Sequence, residues 1–439
     1  MNVRAEVVIQ DAGGYQVQRD PHCTSARRES VRKTRTISLV GGMALMLACG
    51  IVPKLAWSQD ASDANIVQKR RPLSFPTLFP QPTHNNGYEE FVLAADLIVN
   101  NAKREAFESD LNPTLALKRQ VLEDPEVKEA LRLVRAGLNK PVFSPRTTID
   151  ESARFTELIY FRSLGRLLAA EQYVAFADGR VDAAINSLRV GLAFGYRVQT
   201  DCFTNGIFGV GLQKRVLTEF SKHLDQLSVY QCNEVRRLVE DFLSVESPAA
   251  RLLALERDNA LKVLEAKRAH PDGLLEWLQG FGGFDDDGNP DADTLAIQNL
   301  LKNSPAGVSA VLDDARNRVH DLYDQVLSNM RLPLAQRKPF ATDKANSPGA
   351  AIARLLLQDP QFILDQYATD EEQLHLIGVH ALIHRYRWDH AALPNALAEL
   401  RAPNLMKDAN TGAEVVYTRD GDRYTLTVQK PAGGPKSGG

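Results

Sequence analysis

A mainly α-helical fold, an irregular bundle finished by a small C-terminal α+β module, is what this sequence of 439 residues predicts. Three observations carry that reading. Leucine and alanine are abundant while only 3 Trp are present, a bias toward helix formers and away from a β-sandwich. Apolar residues recur at helical spacing in successive segments from residue 86 to about residue 330. Strand-type alternation appears at residues 414–428, as two short runs around Asp420-Gly421-Asp422.

Composition narrows the function classes. Hydrophobic residues at 44% and charged residues at 24% are ordinary for a globular chain. A net charge of −3 gives no basic footprint, so a nucleic-acid partner is not expected.

Residues 1–58 read as a cytoplasmic extension and a signal or anchor segment. Arg27, Arg28, Arg32, Lys33 and Arg35 precede the apolar run 37–52, which has the length of a signal-peptide core. It falls short of the roughly 20 apolar residues of a spanning helix. Ala56 and Ser58 place small residues for a cut after Ser58, and the positive flank keeps the N-terminus cytoplasmic. Cys49 ends a lipobox-like Met46-Leu47-Ala48-Cys49, so cleavage, lipidation at Cys49 and retention as a membrane anchor all stay open. Residues 1–30 are long for an n-region, and translation starting near Val31 would give an ordinary leader.

Residues 59–85, with Pro72, Pro76, Pro80 and Pro82, read as a linker. The helical body spans 86–335. Its first helix carries Tyr88, Phe91, Ala95 and Ile98 on one stripe, and helical character continues over 114–138 until PVFSPR stops it. Thr148 with Glu151 forms a capping box for a helix bearing Phe155, Leu158, Phe161, Leu164 and Leu168. Gly179, Ala184, Leu188 and Gly191 follow at the small-residue spacing of a tetratricopeptide-like helical hairpin. One such unit cannot make a solenoid, so it belongs to an irregular bundle. A helix over 206–227 comes next, then one capped by Ser228 and Gln231, then one opening at Ser247-Pro248 and another at Ser304-Pro305 running to Met330. Pro333, Pro339 and Pro348 mark a boundary before the C-terminal module, 351–430, and residues 431–439 read as a disordered tail.

In that module Thr369 and Glu372 are expected to cap a helix that ends near Tyr386 and Trp388. Pro394 breaks it, a short helix with Leu397 and Leu400 follows, and a hairpin offers Val416, Tyr424 and Leu426 to a core. Cys202 and Cys232 flank a helix of about 22 residues, roughly 33 Å long, which keeps them too far apart for a disulfide.

Candidate chemistry is sparse. His380 and His384 are spaced i and i+4, as two metal-ligating imidazoles on one helix would be, with His375 and His390 nearby. His384 also shares a stripe with Leu374, Ile377, Ala381 and Trp388, as a half-buried histidine would. The loop bearing Asp285, Asp287, Asn289, Asp291 and Asp293 fits neither register of a calcium loop: Thr294 or Gln298 stands where position twelve requires Glu. No GxSxG elbow, P-loop or dinucleotide fingerprint occurs, so no catalytic residue and no cofactor is assigned.

Tyr386, Pro394, Leu397, Leu400, Asp408, Gly412 and Tyr417 stand in an order that resembles the C-terminal region of type II secretion major pseudopilins, over about 60 residues. Ala409 and Leu393 depart from the pattern, and the prepilin helix is missing, so a pilin role is not implied. The chain as a whole resembles a group of exported helical proteins of planctomycete-like bacteria with no assigned activity. Asn86-Gly87-Tyr88, residues 130–142, the Gly179/Ala184 hairpin and residues 385–400 carry that likeness.

The expectation is an exported cell-envelope protein, non-enzymatic, acting as a binding or scaffold protein for other envelope proteins. Membrane association would run through residues 37–52 if they are retained. An envelope hydrolase whose site assembles only in the fold is the alternative, and a metal-dependent sensor using His380 and His384 is a third reading. Oligomeric state is not legible, because no heptad seam persists.

Overall fold

The computed structural model describes residues 83–146, 155–270, 305–330, 347–356, 360–407 and 414–428, with single positions at 78, 79, 274, 277, 295, 298, 299 and 332. The leader with Cys49, the Thr148–Glu151 capping box, the acidic loop, Asp408, Gly412 and the tail lie outside the described residues. So does most of the linker. Its end does not hang free: Phe79 is buried against the Tyr88 ring, and Glu89 accepts from the backbone N–H groups of Thr83 and His84.

Among the described residues the fold is helical apart from one hairpin. Helix α1, Gly87–Val99, starts where the Asn86 side chain accepts from the Tyr88 N–H. The expected stripe of Tyr88, Phe91, Ala95 and Ile98 is fully buried. Short helices α2 (Ala102–Ser109) and α3 (Leu115–Leu122) lead to α4 (Pro125–Leu138). Asp124 caps α4 with Pro125 at its first position, so the helical stretch 114–138 is two helices rather than one.

Three long helices form the centre: α5 (Thr156–Ala177), α6 (Val181–Val198) and α7 (Phe203–Ser221). Between α5 and α6, Gly179 adopts φ +70°. The Arg180 N–H reaches Ala175 O at 2.8 Å and the Gly179 N–H reaches Phe176 O at 3.0 Å, the paired bonds of a Schellman stop. Two consecutive helices therefore turn back on each other at Gly179. Gly191 does not face α5 as expected; a Cβ there would meet Val216 of α7 at 2.6 Å. Helix α6 comes close to α7 where Gly195 and Gly209 face each other through backbone, as α1 does to α4 at Gly87 and Gly137. Phe91, Phe161 and Phe194 meet edge to face with centroids 4.9–6.2 Å apart and tie α1, α5 and α6 together.

Helix α8 (Val229–Leu243) carries the capping box expected of Ser228 and Gln231. Helix α9 (Ala249–Ala269) begins one residue later than read, with Pro248 rather than Ser247 in the cap position. Helix α10 (Pro305–Met330) keeps its predicted bounds, and α11 (Pro348–Leu356) packs beside it. A second apolar core lies here, built from Leu252, Leu253 and Leu264 with Leu312, Val319, Tyr323, Ile352 and Tyr367.

Helix α12, Pro360–His390, is continuous through Thr369. The Thr369/Glu372 cap is not formed, because the Thr369 hydroxyl donates back to Asp365 O at 2.7 Å, a bond available inside a helix. Its C-terminal half joins the first core through Leu374, Ile377, Ala381 and Ile383. Trp388, placed on that stripe by spacing, is 62% exposed because its indole N–H turns to Leu227 O. Leu397–Leu400 is a single 3-10 turn rather than a helix, closed by Glu399, which also accepts from Tyr386 Oη at 2.5 Å.

Strands β1 (Val415–Asp420) and β2 (Arg423–Val428) pair antiparallel around Gly421 at φ +61°. Tyr424 and Leu426 face the helical side as expected, but Val416 does not. Pairing sets Val415 opposite Val428 and Tyr417 opposite Leu426, so the odd-numbered face of β1 turns inward and Val416 is exposed. Tyr417 Oη donates to Pro394 O at 2.9 Å, pinning the hairpin to the proline turn. No described helix is long and apolar enough to cross a membrane.

Candidate anion-binding pocket

A cavity of about 420 Å³ opens between the α2–α3 corner and the faces of α5 and α7. That volume lies within the range of small-ligand sites. The corner is set locally. Asp110 Oδ1 accepts from the Asn112 N–H at 2.9 Å, an Asx turn. Pro113 then leads to Thr114, whose hydroxyl caps α3. This throws Leu111 outward at the rim, 95% exposed, while Phe107 is buried in the wall. Ala169 and Ala170 on α5 leave the space that larger side chains would fill.

Charged groups crowd this space. Lys118 comes from α3, Arg166 from α5, and Arg215, Glu219 and Lys222 from α7, with Glu108 and Asp110 at the corner. Arg162 stands one helical turn before Arg166 and repels it. Two of the carboxylates already have partners: Glu108 takes Arg104 at 2.9 Å, and Glu219 takes Lys222 at 2.8 Å and lies 3.4 Å from the His223 ring nitrogen. Lys118 sits 3.5 Å above the Tyr173 ring. Among the described residues no carboxylate comes within ion-pair distance of Arg162, Arg166 or Arg215, and Arg166 Nε is buried without a hydrogen-bond partner.

The consequence is electrostatic stress. Burial lowers the Arg162 pKa first, and Arg166 lowers it further. Arg215 lines the cavity and is exposed to solvent. Dehydration is the main cause of its lowered pKa, followed by Arg166 and Arg162, against the opposing pull of Glu219 and Glu108. Arginine does not give up its proton under these conditions, so the fold holds three like charges together. An anion placed beside Arg166 and Arg215 would reduce the repulsion and supply an acceptor to the buried Arg166 Nε.

The histidines marked in the sequence lie elsewhere. His380 and His384 are buried beneath the hairpin, and His380 Nδ1 pairs with Tyr424 Oη at 2.9 Å. Burial lowers the His380 pKa to about 3, with His384 adding to the effect. His375 donates from Nε2 to Leu405 O at 2.8 Å, and His390 stacks on Tyr386. Among the described residues, no three His, Cys, Asp or Glu side chains converge as a metal site. Cys202 and Cys232 are free and buried, with thiols pushed up to about 12 and about 11, mainly by burial. Neither is a ready nucleophile.

The pocket residues carry a weak trace in the sequence. Arg162 and Arg166 form an i, i+4 like-charge pair inside a helix otherwise read for its apolar stripe, which is unfavourable without a reason. Nothing in the sequence announces that Arg215, some fifty residues later, joins them. No protein-family model, curated protein or solved structure matches the chain.

Proposed function

We propose that this chain is an exported, non-enzymatic binding protein of the cell envelope, and that the pocket between α2–α3, α5 and α7 receives an anionic ligand. One observation carries the reading: two guanidinium groups, Arg166 and Arg215, line the cavity, with Arg162 one turn before Arg166, and among the described residues no carboxylate pairs with any of the three. A purely structural arginine cluster would be expected to carry its counter-charges within the fold. The envelope assignment is supported by the basic flank and apolar run at 37–52.

Two experiments test the two halves. Thermal shift and calorimetry of the full-length chain against phosphate, sulfate and carboxylate ligands should find stabilising anions, with binding lost in an Arg166→Gln/Arg215→Gln double variant. Binding unaffected by the double variant would overturn the pocket. Fractionation of cells carrying a tagged full-length chain should recover it with the envelope; recovery from cytosol alone would overturn the location.

A further inference from the structure

We infer that the pocket takes a small organic monocarboxylate that also carries a hydrogen-bond donor, a hydroxyl or an amide N–H. The inference rests on the anion-binding reading above and narrows its ligand class. Two unmet atoms of opposite sense carry it. Arg166 Nε, a donor, and Glu108 Oε1, an acceptor, are both buried without a hydrogen-bond partner, and both side chains line the same cavity. Arg166 comes from α5 and Glu108 from α2. Arg104 occupies the other oxygen of Glu108 at 2.9 Å, which leaves Oε1 open. Buried polar atoms are rarely left unmet, because each gives up its hydration with nothing in return. These two do not pair with each other. One molecule seated between them satisfies both only by offering an acceptor to the first and a donor to the second.

Charge sets how many acidic groups that molecule brings. Among the described residues, Lys118, Arg166, Arg215 and Lys222 line the cavity against Glu108, Asp110 and Glu219, an excess of one positive charge. A single carboxylate balances it, and two coplanar oxygens match one edge of a guanidinium. A zwitterionic amino acid brings no net charge and leaves the excess standing. The rest of the wall sets the tail. Phe107, Ala169 and Ala170 give the cavity an apolar side, with Leu111 exposed at the rim. A volume of about 420 Å³ has room for a ring-sized apolar group beside the carboxylate.

The test is calorimetry on the full-length chain with two matched pairs of acids. Mandelate and β-hydroxyhydrocinnamate carry a hydroxyl at successive distances from the carboxylate. Phenylacetate and hydrocinnamate are the same skeletons without it. At least one hydroxy acid should bind about tenfold tighter than its partner, the worth of one hydrogen bond to a charged acceptor. Mandelamide, which keeps the hydroxyl and loses the charge, should bind at least about tenfold more weakly than mandelate. Glu108→Ala should erase the hydroxyl preference without weakening phenylacetate. Arg166→Lys, which keeps the charge and loses the planar fork, should weaken all four acids.

Hydroxy acids no tighter than their partners, or inorganic phosphate tighter than all four acids, would overturn this ligand class while leaving anion binding intact. So would a hydroxyl preference that survives Glu108→Ala. Failure of every acid and of the wider anion panel would overturn both readings. Because the parent chain alone decides the matched pairs, a variant that does not fold leaves the comparison standing. A further arm with N-acetylphenylalanine reads the source of the ligand. Tighter binding than mandelate assigns an N-acylated amino acid, and weaker binding assigns a hydroxy acid.

Discussion

The Tyr367 hydroxyl donates to Oε1 of Gln199 at 2.5 Å, across 168 residues of chain. Tyr367 lies in the second apolar core, on α12, and Gln199 closes α6 in the first. Gln199 Nε2 donates in turn to Gly195 O and to Gln213 Oε1, at 3.1 and 3.2 Å. The two cores are therefore stitched by a buried polar seam with its donors and acceptors matched. Tyr367→Phe keeps the ring and strips Oε1 of its donor. It should destabilise the chain by about 1–3 kcal/mol. Urea unfolding should show a lower midpoint at unchanged slope; an unmoved midpoint would deny the seam its role.

Gly195 and Gly209 set how near α6 and α7 can come. A Cβ on Gly209 would lie 2.4 Å from Gly195 O, against rigid backbone. Gly209→Ala should destabilise by about 1–3 kcal/mol despite the helix propensity gained. Gly211, on the same helix, has nothing within 4 Å of such a Cβ. Gly211→Ala should instead stabilise, by up to about 1 kcal/mol. Thermal unfolding of the two variants side by side reads the opposite signs, and a shared sign would refute the close approach.

Arg146 and Glu157 form a buried ion pair at 2.7 Å, 9% and 1% exposed, and Tyr88 Oη donates to the same carboxylate at 3.0 Å. Arg146→Met leaves that carboxylate without its cation and should cost about 3–5 kcal/mol. Adding Glu157→Gln should recover part of the loss, because the remaining amide is neutral and still accepts from Tyr88. A double-mutant cycle measures this. Strictly additive losses would mean that the two residues do not act as a pair.

These elements show what sequence pattern can and cannot reach. The α1 stripe, the Ser228–Gln231 box and the bounds of α10 were legible because each depends on neighbours within about two turns. Val416 faces outward against expectation because alternation gives the period of a strand but not its phase, which pairing with β2 decides. Thr369 matches a cap by pattern yet sits inside a helix, because a threonine with Glu three residues on looks alike at a helix start and in a helix interior. The arginine pocket stayed hidden for a stronger reason. Its chemistry exists only once α5 and α7 pack, and histidine spacing drew attention to a pair that the fold buries.

His380 makes stability depend on pH in a direction that follows from its surroundings. Tyr424 and His384 face it; Asp225 opposes the lowered pKa of His384, and Arg387 reinforces it. Burial holds His380 at about 3, against about 6.5 in an unfolded chain. Below about pH 6.5 the unfolded state takes up a proton that the folded state refuses, so stability present above that pH is lost as pH falls toward 3. The slope is at most about 1.4 kcal/mol per pH unit. Asp370 and Glu256, raised by burial, act in the opposite sense, so the difference between proteins is the readout. His380→Gln should flatten the decline between about pH 6 and about pH 4 relative to the parent chain. Parallel curves would rule out His380 as the source.

Removing a guanidinium from the pocket should separate a binding site from a structural cluster. Arg162 and Arg166 are like charges one turn apart, and Arg215 adds a third with no carboxylate paired to it among the described residues. Arg166→Gln relieves one i, i+4 repulsion, so the unliganded chain should gain about 0.2–0.5 kcal/mol. Raising the salt concentration should stabilise the parent more than the variant, because screening already does for the parent part of what the substitution does. The variant should also lose the thermal shift that anions give the parent. A structural arginine behaves oppositely: its loss lowers stability, leaves the salt response alone and does not depend on an anion. Unfolding curves at low and high salt, with and without phosphate, therefore decide between the two roles in one set of measurements.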